Sequence, residues 1–176
     1  RQKEVLEKQL QIAAEWKKPV VLHTKDQERE ILESIKKYPN TYLVHWYSAD
    51  HDLDGYLDLD CYFSVGPDVI WNPAVQQVAK RVPENRILLE TDGMEAVKWA
   101  WEEGQKNQNY AIEERESIWE AAEDQTKEIS VSDSLYATAC MVSKLRNILT
   151  ETLINLTSDN FFAFWWNSYG NRLTNK

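Results

Sequence analysis

The sequence predicts an α/β fold with parallel strands, and three observations lead to this class. Short aliphatic and β-branched runs, which are typical of buried parallel strands, recur along the first half of the chain. Successive runs end roughly 20 to 27 residues apart, and each interval contains a helical pattern, as expected for βα units with right-handed crossovers. Hydrophobic residues make up 43% of the chain and charged residues 28%, a balance that indicates a globular protein.

The predicted elements follow one another in a regular order. Residues 1–17 have apolar positions at a helical period, and Lys17-Lys18-Pro19 is typical of a helix end. The predicted strands are 19–23, 42–45, 61–65 and 86–91. Helical segments lie between them, one with Asp26 as a candidate cap and another that begins at Asn72-Pro73.

The remainder of the chain has a different character. Residues 93–150 carry few strand signals and predict two or three helices, with loops near 104–110 and 129–134. The cluster Thr157-Ser158-Asp159 predicts the start of a last, aromatic-rich helix, for which Gly170 is a candidate C-cap.

With 176 residues, the chain has the length of one ordinary domain. We therefore expect a single domain, 1–176, with βα units over 1–92 and a mainly helical part over 93–176.

Composition limits the function classes. The formal net charge of −9 argues against a broad basic surface that grips long duplex nucleic acid. No apolar run approaches the roughly 18 residues that span a bilayer, so no membrane association is expected. Two cysteines are too few for a disulfide framework, which favours a reducing, cytoplasmic location.

Three predicted strands end in or near residues that can bind a metal ion. His23 and His45 end the first and second strands, and Asp92 follows the fourth. Because α/β folds place their chemistry at the carboxyl ends of the strands, these side chains form a candidate metal site. The alternative is that each histidine has a structural role. The third histidine, His51, is interpreted as part of a solvated loop or helix start.

Five short segments occur in an order and spacing that match a known family. They are Gln9-Leu10-Gln11-Ile12-Ala13, Pro19-Val20-Val21-Leu22-His23-Thr24-Lys25, Val44-His45-Trp46-Tyr47-Ser48, Tyr62-Phe63-Ser64-Val65-Gly66 and Leu88-Leu89-Glu90-Thr91-Asp92. Together they resemble the TatD family of metal-dependent hydrolases, often described as deoxyribonucleases. Asn160-Phe161 fits the family's late Asn-aromatic helix start.

The resemblance implies a (β/α)₈ barrel of the amidohydrolase type, of which this chain would supply the C-terminal half, followed by additional helices. The family's metal ligands are a His-x-His, a Glu, two further His and an Asp. His23, His45 and Asp92 match the last three, whereas the His-x-His and the Glu have no counterpart here. We therefore expect an N-terminal half of the barrel, or another chain, to complete the fold.

The resemblance also implies a function. The chain would belong to a metal-dependent hydrolase that cleaves phosphodiester bonds of DNA, at single-stranded ends, with a metal-activated water. Two divalent ions (Mg²⁺, Mn²⁺ or Zn²⁺) would occupy a complete site, and at most one would bind to this segment. Asp92 would be both a ligand and the catalytic base, and Glu90 would support the ligands. Lys25 would contact a substrate phosphate, and Trp46 and Tyr47 would stack on an unpaired base.

Other interpretations stay open at this point. The enzyme could act on a small ester or amide, or the chain could be a non-catalytic barrel segment that serves as an interaction module. Lys25 could be solvated, Trp46 and Tyr47 could be core residues, and Glu90 could satisfy a neighbouring backbone group.

Overall fold

The computed structural model of the protein describes residues 1–106 and 130–166. Within those residues it contains one four-stranded sheet and seven α-helices. The strands are β1 (Val20–His23), β2 (Tyr42–His45), β3 (Tyr62–Val65) and β4 (Ile87–Leu89). The helices are α1 (Gln2–Glu15), α2 (Glu28–Ile35), α3 (Leu53–Asp58), α4 (Pro73–Arg81), α5 (Met94–Lys106), α6 (Val131–Arg146) and α7 (Thr150–Trp166). Short 3₁₀ turns occupy Pro67–Ile70 and Glu84–Arg86.

The sheet is parallel throughout, in the order β1-β2-β3-β4. Helices α2, α3 and α4 lie between successive strands, so the predicted α/β class with parallel βα units is confirmed. In the register of β1 and β2, His23 lies opposite His45. The carboxyl ends of the strands therefore meet along one edge of the sheet.

Side chains alternate between the two faces of the sheet, as the strand period requires. One face carries Val44, Phe63 and Ile87, which belong to the main hydrophobic core together with residues from the helices. The opposite face carries a smaller buried cluster of Leu43, Tyr62 and Leu88, which Phe164 of α7 covers. The Tyr62 and Phe164 rings meet edge to face, with centroids 5.3 Å apart.

Helix α7 begins earlier than the sequence predicts. Because it starts at Thr150, the expected cap at residues 157–159 is wrong, and Asn160-Phe161 lies inside the helix rather than at its start. Thr157 fits a helix interior because its Oγ1 donates to the Ile154 carbonyl at 3.1 Å. Gly170, the candidate C-cap, lies outside the described residues.

Asn160 connects α7 to the start of β4. The side chain is 5% exposed, and its Nδ2 donates to the carbonyls of Glu84 at 2.7 Å and Ile87 at 2.8 Å. These two hydrogen bonds give each backbone carbonyl a buried donor and hold the helix against the amino end of the strand.

The predicted helix caps have different outcomes. Asn72 caps α4 as expected, since its Oδ1 accepts from Ala74 N at 3.1 Å and Pro73 occupies the first helical position. The prediction for Asp26 is wrong, because α2 begins at Glu28 with Gln27 as its N-cap. Asp26 instead adopts a φ of 62°, and its backbone N–H donates to Glu28 Oε1 at 3.1 Å.

In the region after β4, α5 extends to Lys106 and α6 begins at Val131, where Ser130 and Asp133 form a capping box. The predicted loops at 104–110 and 129–134 are therefore wrong at residues 104–106 and 131–134, which are helical. The other residues between the two helices, 107–129, lie outside the described part. None of the described helices has both the length and the apolar character to cross a membrane.

Candidate metal centre

The two strand-end histidines lie side by side. They occupy equivalent positions in the register of β1 and β2, and their ring centroids are 4.3 Å apart with a tilt of 48°. This proximity follows directly from parallel pairing, which brings the ends of neighbouring strands together. His23 is exposed and His45 is partly buried.

Both ring nitrogens of His45 face carboxylates. Nδ1 lies 2.7 Å from Glu90 Oε2, and Nε2 lies 3.7 Å from Asp92 Oδ1. The hydrogen bond with Glu90 raises the pKa of His45, assisted by the negative charges of both carboxylates and opposed by partial burial. A carboxylate at Nδ1 fixes the tautomer that leaves Nε2 free to bind a metal ion.

The Glu90 carboxylate is engaged by three protein groups. Oε1 accepts hydrogen bonds from the Trp46 backbone N–H at 3.0 Å and from the Ser64 hydroxyl, while Oε2 faces His45. The Glu90 backbone N–H donates to the Val65 carbonyl at 3.1 Å, which extends the pairing of β3 with β4. This arrangement suits a residue that orients His45 better than one that offers a free oxygen to an ion.

Asp92 follows the sheet in a turn with unusual backbone angles. It has a φ of 51°, and Gly93, with a φ of 86°, continues the left-handed conformation. Non-glycine residues adopt such angles rarely, and they concentrate at functional sites. The turn directs the half-exposed Asp92 carboxylate toward His45.

One potential ligand atom from each of His45, Glu90 and Asp92 lies within 4.8 Å of the others. His23 is not in this tightest group, although its ring lies beside that of His45. Imidazole nitrogen together with carboxylate oxygen is a donor set that suits Zn²⁺ and Mn²⁺, with carboxylate oxygen also suited to Mg²⁺. The residues present therefore fit a divalent cation, with His23, His45 and Asp92 as the side chains that have exposed or unengaged donor atoms.

The histidines and Asp92 open into a cavity of about 330 Å³, within the ~300–1,000 Å³ range of small-molecule sites. Lys25 and Trp46, which the sequence predicts as substrate contacts, both line it. Lys25 is exposed and extends from the loop after β1.

The prediction that Tyr47 contacts substrate is not supported by its position. Tyr47 is 1% exposed and does not line the cavity. Its ring packs edge to face against Tyr56 and Phe63, and its hydroxyl donates to the His51 carbonyl. Tyr47 is therefore a core residue, because the chain turns after Trp46 and carries the next side chain into the interior.

Sequence reasoning missed Asp68, which lies at the base of the cavity. It is 1% exposed and accepts hydrogen bonds from Trp46 Nε1 at 2.6 Å and Asn72 Nδ2 at 2.8 Å. Burial raises the pKa of this carboxyl from 3.8 to about 6, although both hydrogen bonds oppose the shift. The available signal was a single acidic residue within the otherwise apolar run Gly66-Pro67-Asp68-Val69-Ile70.

Sequence reasoning also missed Trp99 of α5, which lines the same cavity. The Trp99 side chain is 45% exposed. Nothing in the local pattern separated it from the other tryptophans of this region.

A family model described as TatD related DNase matches residues 1–165 of the chain. The chain belongs to the TatD family. The family resemblance of the strand-end motifs is thereby confirmed, and with it the broad class of metal-dependent hydrolases.

Curated relatives agree with this class. An uncharacterised metal-dependent hydrolase of Haemophilus influenzae is 33% identical over 92 residues, which cover 51% of this chain and 37% of that protein. The uncharacterised metal-dependent hydrolase YcfH of Escherichia coli K12 is 34% identical over 98 residues, covering 52% of this chain and 37% of YcfH. The human 3′-5′ RNA nuclease TATDN2 is 32% identical over 101 residues, covering 52% of this chain and 13% of that protein. The matches thus span little more than a third of the bacterial relatives.

Solved structures share the fold. The TatD homologue YjjV of E. coli superposes with a TM-score of 0.67 at 17% identity, covering 94% of this chain and 56% of YjjV. An uncharacterised amidohydrolase of Saccharomyces cerevisiae also gives 0.67, at 15% identity, covering 93% of this chain and 59% of that one. The described sheet and helices therefore correspond to just over half of each of these larger folds.

Proposed function

We propose that this TatD family chain carries one half of a divalent-metal-dependent phosphodiesterase site that acts on nucleic acid, with unpaired DNA ends as the first candidate substrate. The observation that supports it most is the group at the carboxyl ends of the strands, where His45 Nε2 lies 3.7 Å from Asp92 Oδ1 and the His23 ring lies 4.3 Å from the His45 ring. The human relative is named as a 3′-5′ RNA nuclease, so RNA is the second candidate.

We further propose that the four βα units are the C-terminal half of an eight-stranded barrel in a single domain. In the described residues, β1 and β4 each pair with one neighbouring strand only. Since a barrel closes when every strand has two neighbours, further strands from the same protein or another chain would pair with both edges. They would also bring additional ligands to the open side of His23.

The chain's own residues have separate roles in this proposal. His23, His45 and Asp92 would hold the cation, and Glu90 would keep the His45 ring in the orientation and tautomer that ligation needs. A bound divalent ion would supply Lewis acidity, which lowers the pKa of water and neutralises charge on a phosphodiester.

Asp92 is also the candidate acceptor for the proton of the attacking water, since its carboxylate is half exposed and faces the cavity. Lys25, which lines the same cavity, would place its ammonium group against a substrate phosphate. The polar base of the cavity, with Asp68 below Trp46, would keep that indole in place.

The test is hydrolysis of end-labelled single-stranded DNA and RNA oligonucleotides by the full-length protein, with Mg²⁺ or Mn²⁺ and with EDTA. We expect cation-dependent cleavage, which Asp92→Asn lowers by roughly 10²–10⁴-fold, the range for loss of a general base. The matched control is Asp58→Asn, an exposed aspartate on α3, which should cleave like the wild type.

Cleavage that persists in EDTA, or that Asp92→Asn leaves unchanged, would contradict the proposal. A parallel assay with a small aryl ester and an anilide tests the other hydrolase class. Hydrolysis of those compounds, without any cleavage of oligonucleotides, would move the assignment to a small-substrate amidohydrolase.

A further inference from the structure

We propose that Trp99 is a base-stacking residue, against which an unpaired nucleobase of the substrate lies while its phosphate faces the metal ligands. This inference rests on the proposed function and deepens it, because it names the part of the substrate that the enzyme recognises. It also gives a role to helix α5, which follows the metal-ligand strand and which sequence reasoning left unexplained.

Trp99 is placed by the turn that positions Asp92. Helix α5 begins at Met94, two residues after Asp92, and its Val97, Ala100 and Gly104 are buried. Ala96 and Trp99, three residues apart and hence on one helix face, line the cavity that His23, His45 and Asp92 also line. The indole thus forms part of the wall of the metal cavity.

The ring is exposed but not loosely held. Trp99 is 45% exposed, and it makes edge-to-face contacts with Trp46, at a centroid distance of 6.1 Å, and with Trp71, at 5.8 Å. Two neighbours of this kind restrain the ring, while nearly half of the side chain stays exposed and the residue lines the cavity. Preorganisation of this type reduces the ordering entropy that a ligand must overcome.

Both neighbouring indoles are themselves anchored. Trp71 Nε1 donates to the Ala100 carbonyl at 2.8 Å, and the ring lies so close to Gly104 that a Cβ there would come within 2.8 Å of it. Trp46 Nε1 donates to Asp68 Oδ1 at 2.6 Å. A Cβ on Gly66 would come within 2.4 Å of the Trp46 ring, so this glycine is required by close approach.

The cavity combines three kinds of surface that match the parts of a nucleotide. The histidines and Asp92 provide cation ligands, Lys25 provides a positive charge, and Trp46 with Trp99 provides an aromatic wall. A phosphodiester would use the first two surfaces and a base would use the third. A small aliphatic ester has no group that would benefit from the aromatic wall.

The base must be unpaired to use this wall. In a duplex the faces of each base are covered by its neighbours in the stack, whereas a terminal or single-stranded base can lie on an indole. Stacking of this kind tolerates any sequence, because every base has a π-face. Trp99 therefore predicts preference for single strands without preference for a particular base.

The experiment measures binding of fluorescent oligothymidylate to the full-length protein by anisotropy, in EDTA, which separates binding from cation-dependent cleavage. We expect Trp99→Leu to weaken binding about tenfold, within the range for loss of one stacked base, and Trp99→Phe to keep most of the affinity. Trp16→Leu is the matched control, since Trp16 is 64% exposed and precedes the amino end of β1, away from the cavity.

Two substrate changes make the test specific. An oligonucleotide with abasic sites should bind wild type and Trp99→Leu equally, and a blunt duplex should show no dependence on Trp99. Oligouridylate in place of oligothymidylate shows whether the unpaired strand is RNA or DNA.

The stacking role is overturned if Trp99→Leu binds oligothymidylate as tightly as wild type, if Trp99→Phe loses as much as Trp99→Leu, or if the loss persists with abasic strands. If cleavage requires a cation but oligonucleotide binding does not depend on Trp99, only the stacking role is wrong and the phosphodiesterase assignment stands. Binding that depends on Trp99, without cleavage, would instead remove the phosphodiesterase assignment and keep the stacking role.

Discussion

One face of the sheet is apolar and closed at the amino ends of its strands but polar and open at the carboxyl ends. Leu43, Tyr62 and Leu88 lie at the closed end beneath Phe164, which is 1% exposed. His45, the last residue of β2, and Glu90, directly after β4, follow Leu43 and Leu88 by two residues and lie at the cavity end. A displacement of two residues along the chain thus separates a residue that stabilises the fold from one that belongs to the candidate cation site.

This difference shows how the fold divides its tasks. In barrels of βα units the carboxyl ends of the strands carry the chemistry, and the amino ends carry stability. Here α7 covers the apolar end, whereas the loops after β1, β2 and β4 supply Lys25, Trp46 and Asp92 to the open end. Substitutions at the amino ends should therefore mainly lower the free energy of unfolding, and substitutions at the carboxyl ends should mainly change cation binding or the pH dependence of stability.

The largest expected effect is on stability at the closed end. Phe164→Ala should lower the free energy of unfolding by about 3–5 kcal/mol, because it removes a buried ring and leaves a cavity. Phe162→Ala, which removes a 59% exposed ring from the same helix, should have a much smaller effect. Chemical denaturation measures the free energy of unfolding of both variants. Equal losses would contradict the claim that Phe164 at the closed end stabilises the fold.

At the open end, Asp68 should make stability depend on pH. The folded protein holds the Asp68 proton up to about pH 6, whereas the unfolded chain releases it near 3.8. The folded state therefore binds more protons in this interval, and the Asp68 contribution to stability falls as pH rises from about 4 to about 6, by about 3 kcal/mol in total.

Asp68→Asn removes this titration. The unfolding free energy of the wild type minus that of Asp68→Asn should decline over the same pH interval. A difference that is constant with pH would show that the Asp68 pKa is not raised.

The third expected effect returns to the closed end. Asn160→Ala should lower the free energy of unfolding by about 2–3 kcal/mol, because the Glu84 and Ile87 carbonyls lose their donor. Asn155→Ala, at an exposed position of the same helix, is the control. Cation affinity should not change in either variant, and a loss of affinity in Asn160→Ala would show that the two ends are coupled.

The smallest expected effect concerns the support of His45. Glu90→Gln should weaken Mn²⁺ binding roughly 10- to 100-fold, because His45 loses the charged partner that fixes its tautomer and raises its basicity. Glu151→Gln, an exposed substitution on α7, should bind Mn²⁺ like the wild type. If Glu90→Gln binds equally well, Glu90 has only a structural role.

The sequence was sufficient for features that depend on short patterns. The four strands, their parallel order and the Asn72 cap all follow from local periodicity and capping preference, and parallel order alone brings His23 and His45 together. Asp92 was predicted in the same way, from its place after the fourth strand, although no periodicity reveals the turn with positive φ that directs its carboxylate toward His45.

What the sequence could not supply depends on packing between distant segments. Tyr47 and Trp46 are adjacent, yet one enters the core and the other lines the cavity. Asp68 lies in the turn after β3 and Trp99 lies in helix α5. Both contact Trp46 and line the cavity only because these segments pack beside the end of β2 in the folded chain. The start of α7 was misplaced because Thr157, a good capping residue, forms a hydrogen bond to Ile154 within the helix.

The central claim is that the carboxyl ends of the strands form a divalent-cation site. Isothermal titration of the full-length protein with Mn²⁺ tests it most directly, in wild type, in the double variant His45→Ala/Asp92→Asn and in the exposed control Asp58→Asn. The account predicts saturable binding in wild type and in Asp58→Asn that is weakened or lost in the double variant. Equal binding by all three proteins would contradict it, because the cation would then be held elsewhere.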